Sequence, residues 1–263
     1  MTYLALQALA GRWASHGDRS PEQQGAFADL TPSELRVFSQ NGEDGVIEEV
    51  FRHIGSGHRR FIEFGAEDGT EGNCAFLAEV LGWSGLFIEA DPVQHAVLAS
   101  RYRDRPHVIT RHATVTPANI NRLIEEAGCA GDVDVLSIDI DGHDYWVWEA
   151  ISVTRPRLVI AEYNAHVPYP IVLAQPLSEP GPWQGTDYFG ASLGALEQLA
   201  TARGYRLVHT DLAGVNAFFV PIDLATSLPM DDAIPRRSPN FFFTGRGHPP
   251  DASGRAMVRP PRP

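Results

Sequence analysis

The chain has 263 residues, 43% hydrophobic and 21% charged, a balance able to bury one large α/β core or two small ones. A formal net charge of -12 with no basic run argues against nucleic acid or an anionic membrane surface as the main partner, since both need clustered Lys or Arg. A small-molecule substrate fits better, and the absence of any lysine rules out Schiff-base chemistry and a phosphate-binding lysine.

Residues 1–36 read as an N-terminal helical extension. Residues 1–13 are mildly apolar but lack a cleavage site, and residues 17–21 are polar and loop-like. No apolar run approaches the roughly 20 residues needed to span a bilayer, so a cytoplasmic protein is expected. Residues 37–54 carry apolar side chains at helical spacing (Val46, Ile47, Val50, Phe51, Ile54). Ser39 or Asn41 can cap that helix, and the acids of its first turn suit the helix dipole.

From residue 60 short apolar runs alternate with amphipathic ones. Strands are predicted at 60–64, 85–89, 107–110, 133–138 and 158–161. Helices are predicted at 73–81, 93–102, 117–127 and 145–151. Such alternation implies a doubly wound α/β unit, its parallel sheet covered on both faces. Residues 165–186, rich in Pro and Gly, read as a functional loop or lid. A helix at 193–202 and an antiparallel strand pair at 205–209 and 216–220 follow. The segment 223–263 reads as a Pro-rich tail in which residues 240–243 (Asn-Phe-Phe-Phe) dock on the body and 247–263 are mobile. Cys74 and Cys129 have neither disulfide-framework nor zinc spacing and read as small buried hydrophobes.

Ligands of open α/β sheets bind at the carboxyl ends of the strands. Four predicted strands end in acids: Glu63 before a Gly65–Gly69 turn, Glu89, the Asp139-Ile140-Asp141 run, and Glu162 before Tyr163 and Asn164. The two glycines let the backbone approach a ligand, and an acid about 20 residues later can hydrogen-bond ribose hydroxyls. The turn itself carries Glu63, Glu67, Asp68 and Glu71. Those acids would repel a dinucleotide's pyrophosphate, but they suit a sulfonium and an ammonium. The nucleoside cofactor expected is therefore S-adenosylmethionine.

These segments, with residues 39–45, 183–192 and 214–220, resemble the FkbM-like family of S-adenosylmethionine-dependent methyltransferases over about residues 37–222. The resemblance implies a mostly parallel seven-stranded sheet with a reversed last strand, the class I methyltransferase fold. It implies that Glu63, Gly65, Glu67 and Gly69 line the methionine part of the cofactor, with Asn73 and Asp139 as further cofactor contacts. Glu89 would hold the ribose, Ala113 and Thr114 would flank the adenine, and Gln40 and Asn41 would close over it. One departure is Glu67, which stands where many methyltransferases have a middle glycine.

Asp139, Glu162 and Asn164 would converge if their strands are neighbours, an oxygen set suited to Mg²⁺ and similar to that of catechol-type O-methyltransferases. Such a metal would lower the pKa of a substrate hydroxyl and orient it. His143 is the expected general base, with His166 second and Asp141 as the substitute. Tyr163, His166, Asp187 and Tyr188 are expected substrate contacts, near an aromatic wall that includes Tyr145 and Trp146, with Trp148 assigned to the core. The reading is O-methylation of a small natural-product or sugar-like substrate, in a chain compatible with a homodimer. N-methylation, a non-methylating transfer or cyclisation, and a non-catalytic binding protein on the same fold are the alternatives.

Overall fold

The computed structural model describes residues 3–16, 29–179, 183–229 and 233–262; the expected loop at 17–21 lies outside them. Helices α1 (Tyr3–Ala14) and α2 (Glu43–Ile54) precede strand β1 (Arg60–Phe64). Then come α3 (Ala75–Glu79), β2 (Ser84–Glu89), α4 (Pro92–Arg101), β3 (Val108–His112), α5 (Ile120–Glu126), β4 (Val135–Ile138), α6 (Asp144–Ala150) and β5 (Leu158–Glu162). Helix α7 (Leu193–Ala202) and strands β6 (Tyr205–Thr210) and β7 (Asn216–Pro221) close the series. The strands form one seven-stranded sheet of order β3-β2-β1-β4-β5-β7-β6. All run parallel except β7, which is antiparallel to both its neighbours. No described helix is long and apolar enough to cross a membrane.

Successive strand side chains point to opposite faces, so two cores form. Ile62, Phe64, Leu136 and Ile138 pack with Ile120, Val147 and Leu196 of α5, α6 and α7. Phe61, Phe87, Val135 and Ile160 pack on the other face with Val46, Leu77 and Leu98 of α2, α3 and α4. Both cysteines are buried free thiols.

Three helices start later than periodicity suggests, each because a side chain takes the preceding amides. Helix α2 begins at Glu43, after Gly42 at φ 116°, and the Ser39 hydroxyl caps it by accepting from Asp44 N–H at 3.0 Å, while Asn41 does not. Asp44 in turn reaches back and accepts from the N–H groups of Val37, Phe38 and Ser39 at 2.7–2.8 Å. Helix α3 begins at Ala75 because Glu63 accepts from Asn73 and Cys74 N–H at 2.8 and 2.9 Å. Asn119 spans the turn before α5, accepting from Thr116 N–H and donating to the Thr114 carbonyl.

The tail differs most from expectation. Val258 and Ala174 exchange two backbone hydrogen bonds of 2.8 Å, Asp187 N–H donates to the Pro249 carbonyl, and Asp251 N–H donates to Asp187 Oδ1. The segment expected to be mobile thus straps the 165–192 loop. Of the three phenylalanines expected to dock, only Phe241 does, against His166 and His248. Phe242 is 93% exposed.

Candidate functional site

The register aligns the strand ends. Ile138 lies beside Ala161 across β4 and β5, and Glu162 pairs directly with Asn216 across β5 and β7. Asp139 follows Ile138, the last paired residue of β4, as Glu162 follows Ala161. Phe64 pairs with Ile138, which sets Gly65 beside Asp139. A Cβ on Gly65 would fall 1.7 Å from the Asp139 carbonyl oxygen, so the turn after β1 can approach β4 only through glycine.

Carboxylate oxygens of Asp139, Asp144 and Glu162 all lie within 4.8 Å of one another. Loss of solvation pushes Asp139 and Glu162 well above the usual carboxylate range; Asp141 and Asp144 raise Asp139 further, and Asp139, Asp144 and Asp141 raise Glu162. Burial pushes Asp144 up to about 6, against the Ile140 and Gly142 N–H groups that it accepts from at 2.9 and 3.0 Å. Glu162 Oε2 is buried without a hydrogen-bond partner. Asn164, expected as the third ligand, has its side-chain amide engaged elsewhere. Its amide donates to the Asp187 and Phe189 carbonyls, and its oxygen accepts from the backbone N–H and Nδ1 of His166. Asp144 stands where Asn164 was expected.

The glycine turn forms a second group beside this one. Glu89 Oε2 accepts from Glu67 N–H at 2.8 Å and its Oε1 from Asp91 N–H at 2.6 Å. Each oxygen keeps a lone pair for another donor. Glu67 holds φ 47°, the left-handed backbone that a middle glycine would favour, so the turn keeps its shape without one. Gly69 is also left-handed, at φ 78°. Burial pushes Glu63 up to about 7, and both its oxygens serve α3 rather than an open cavity. Asn73 donates its side-chain N–H to Ser137. Ala113 N–H donates to the Glu89 carbonyl, which brings the β3 end, with exposed Thr114, beside β2. Asn41 donates to Glu43 from its backbone and side chain, while Gln40 is exposed.

His143 Nε2 donates to the Pro176 carbonyl at 3.2 Å, which leaves Nδ1 able to take a proton. Asp141 is exposed and left-handed at φ 56°. His166 is more committed. A carbonyl oxygen on Asn164 accepts from its Nδ1, and its Nε2 accepts from His248 N–H, so the ring is neutral and both nitrogens are used. Burial and His248 lower its pKa, in keeping with that neutral form.

The four residues expected to touch substrate lie together under the tail. Tyr163 is buried and its hydroxyl points at the Arg237 carbonyl. Asp187 accepts from Asp251, as above. Tyr188 donates to Glu179 at 2.6 Å, beneath the Arg255 guanidinium 4.3 Å from its ring. Tyr145 and Trp146 are buried and form no open wall, and Trp148 is buried in the core.

Sequence reasoning passed over Asp144, Glu43 and Asn216. Asp144 could be found as the third acid of its run. Glu43 and Asn216 could not, because their meeting, with Asn216 Nδ2 donating to Glu43 Oε1 at 2.8 Å, depends on how α2 docks over β7.

No protein-family model and no curated protein matches this sequence. Among solved structures, the N-terminal domain of EvdMO1 with SAH and D-fucose is 12% identical over 71% of this chain and 84% of that one, with a TM-score of 0.43. The Bacillus cereus O-methyltransferase in complex with SAH is 18% identical over 63% and 68%, with a TM-score of 0.35. Aeropyrum pernix fibrillarin with bound S-adenosyl-L-methionine is 14% identical over 64% and 67%, with a TM-score of 0.40.

Proposed function

We propose that the chain transfers a methyl group from S-adenosylmethionine to a hydroxyl of a small polar acceptor, natural-product or sugar-like in size. One observation carries the reading: the glycine turn after β1 and the carboxylate after β2 are tied together at the carboxyl edge of the sheet, through Glu67 N–H on Glu89. That edge, where the strand order reverses between β1 and β4, is where open sheets bind nucleosides.

S-adenosylmethionine supplies an electrophilic methyl on a positive sulfonium, and the acceptor oxygen must lose a proton as it takes that methyl. The chain's residues fit both needs. Glu89 has lone pairs left for the ribose hydroxyls. Glu67 is raised by burial and then by Glu89, Asp68 and Asp141, a concentration of negative charge that a sulfonium or ammonium would relieve. His143 Nδ1 or Asp141 takes the acceptor proton, whereas the committed ring of His166 braces Asn164 and the loop. The acids beyond β4 and β5 are the part of the site that would take Mg²⁺ or a similar ion and lower the acceptor's pKa. The orphaned Glu162 Oε2, among three like-charged carboxylates, fits such a group.

Calorimetry with S-adenosylmethionine and S-adenosylhomocysteine tests the reading, with micromolar binding of both expected. No binding of either would sink it, and methylthioadenosine as the product would replace methylation by a different transfer.

A further inference from the structure

We propose that Asp139, Asp144, Glu162 and Asn216 form one divalent-cation site, in which the amide oxygen of Asn216 is the neutral ligand. The inference deepens the methyl-transfer reading and rests on it only for what the cation does there.

Four observations support it. Glu162 and Asn216 are directly opposed across β5 and β7, where Cβ atoms lie about 5 Å apart, and Asp139 follows Ile138, the last paired residue of β4. Oxygens of Asp139, Asp144 and Glu162 within 4.8 Å of one another match donors around one hard ion, which at about 2.1–2.5 Å from each cannot be more than about 5 Å apart. Asn216 is 4% exposed, and its Oδ1 has no partner among the described residues. Its cross-strand neighbour Glu162 has an orphaned Oε2. Two adjacent buried acceptors without a donor are rare in native proteins and call for an ion or a proton.

The amide is held for the role. Asn216 Nδ2 donates to Glu43 Oε1, and Glu43 is itself held by Asn41 N–H at 2.8 Å. With Nδ2 so fixed, the opposite end of the amide, Oδ1, faces away from Glu43. Asn164 offers no comparable oxygen, since both of its acceptor positions are filled by His166. Charge favours a divalent ion over an ammonium: three carboxylates around a single positive charge would leave two uncompensated in a poorly solvated site.

The test titrates the full-length protein with Mn²⁺ near pH 8, reading free ion by electron paramagnetic resonance, with Mg²⁺ as competitor. The expected result is one Mn²⁺ per chain, displaced by Mg²⁺. Asp144→Asn and Asn216→Ala should each weaken binding at least about 10-fold, while Asn164→Ala leaves it unchanged. Asp139→Asn should abolish binding and raise the melting temperature in metal-free buffer, because it removes one of three repelling charges; a merely damaged fold would melt lower. The proposal is overturned if the wild type leaves Mn²⁺ free at millimolar concentration, as it would were a proton shared between Glu162 and Asn216. It is also overturned if Asn216→Ala, melting normally, binds as the wild type does. Cofactor binding without any Mn²⁺ binding overturns the cation site alone. Mn²⁺ binding with no cofactor binding supports the site and overturns the methyl-transfer reading.

Discussion

Gly65→Ala isolates the close approach on which the site depends. An added Cβ would meet the Asp139 carbonyl at 1.7 Å, while real Cβ contacts essentially never fall under 3.0 Å. The ends of β1 and β4 must therefore part by more than about 1 Å, a backbone shift of the kind that costs about 1–3 kcal/mol. The residue also sits at φ 70°, where a side chain adds about 1 kcal/mol. Together these give about 3 kcal/mol, or a fall of about 10 °C in melting temperature for a chain of this size. Gly82→Ala is the control: it has φ 67° but nothing within 4 Å of its Cβ, so it carries only the backbone term and a fall of about 3 °C. Thermal melts with and without S-adenosylhomocysteine compare the two. Gly65→Ala should also lose at least 10-fold in cofactor affinity and Gly82→Ala none, about 1.4 kcal/mol apart. Equal falls in melting temperature, or unchanged cofactor affinity in Gly65→Ala, would refute the argument that β1 and β4 meet through this glycine.

Glu89→Ala leaves the amides of Glu67 and Asp91 unpaired, so it should destabilise by about 1–3 kcal/mol in urea titration and weaken cofactor binding at least 10-fold by calorimetry. Stability should fall with rising pH. Burial pushes Glu63 up to about 7 and Asp44 up to about 6, whereas unfolded carboxyls titrate near pH 4. The fold thus prefers their neutral forms; that stability is present below about pH 4 and is lost as the pH passes the raised values. The Glu63 shift alone is worth about 3 kcal/mol, so the urea midpoint should be lower near pH 8 than near pH 5, and the reverse order would contradict the burial of these acids. Removing residues 240–263 uncovers His166 and Tyr188 and frees the 165–192 loop, so limited proteolysis should cut that loop faster while cofactor affinity stays the same. A loop equally resistant after truncation would show that the strap does not hold it.

Local pattern was enough for the elements and for the half of the site that is local. The alternation of apolar runs and amphipathic segments locates β1 to β5 within a few residues, because a parallel strand buried on both faces has to be continuously apolar. The Gly65–Gly69 turn, and Glu89 after the next strand, are likewise visible along the chain, since a strand end and the turn that follows it are consecutive. What could not be read is what depends on register and docking. Asp144 rather than Asn164 joins Asp139 and Glu162 because α6 folds its first residue back onto the Ile140 and Gly142 amides, while the amide of Asn164 is consumed by its own loop. Asn216 comes beside Glu162 only because β7 runs antiparallel and pairs the two residues, 54 positions apart in number but adjacent in space. The tail shows the same division. Its prolines correctly indicate irregular backbone, but irregular is not mobile: the backbone groups of Val258 and Asp251 find partners on the 165–192 loop, and only the folded surface could supply them.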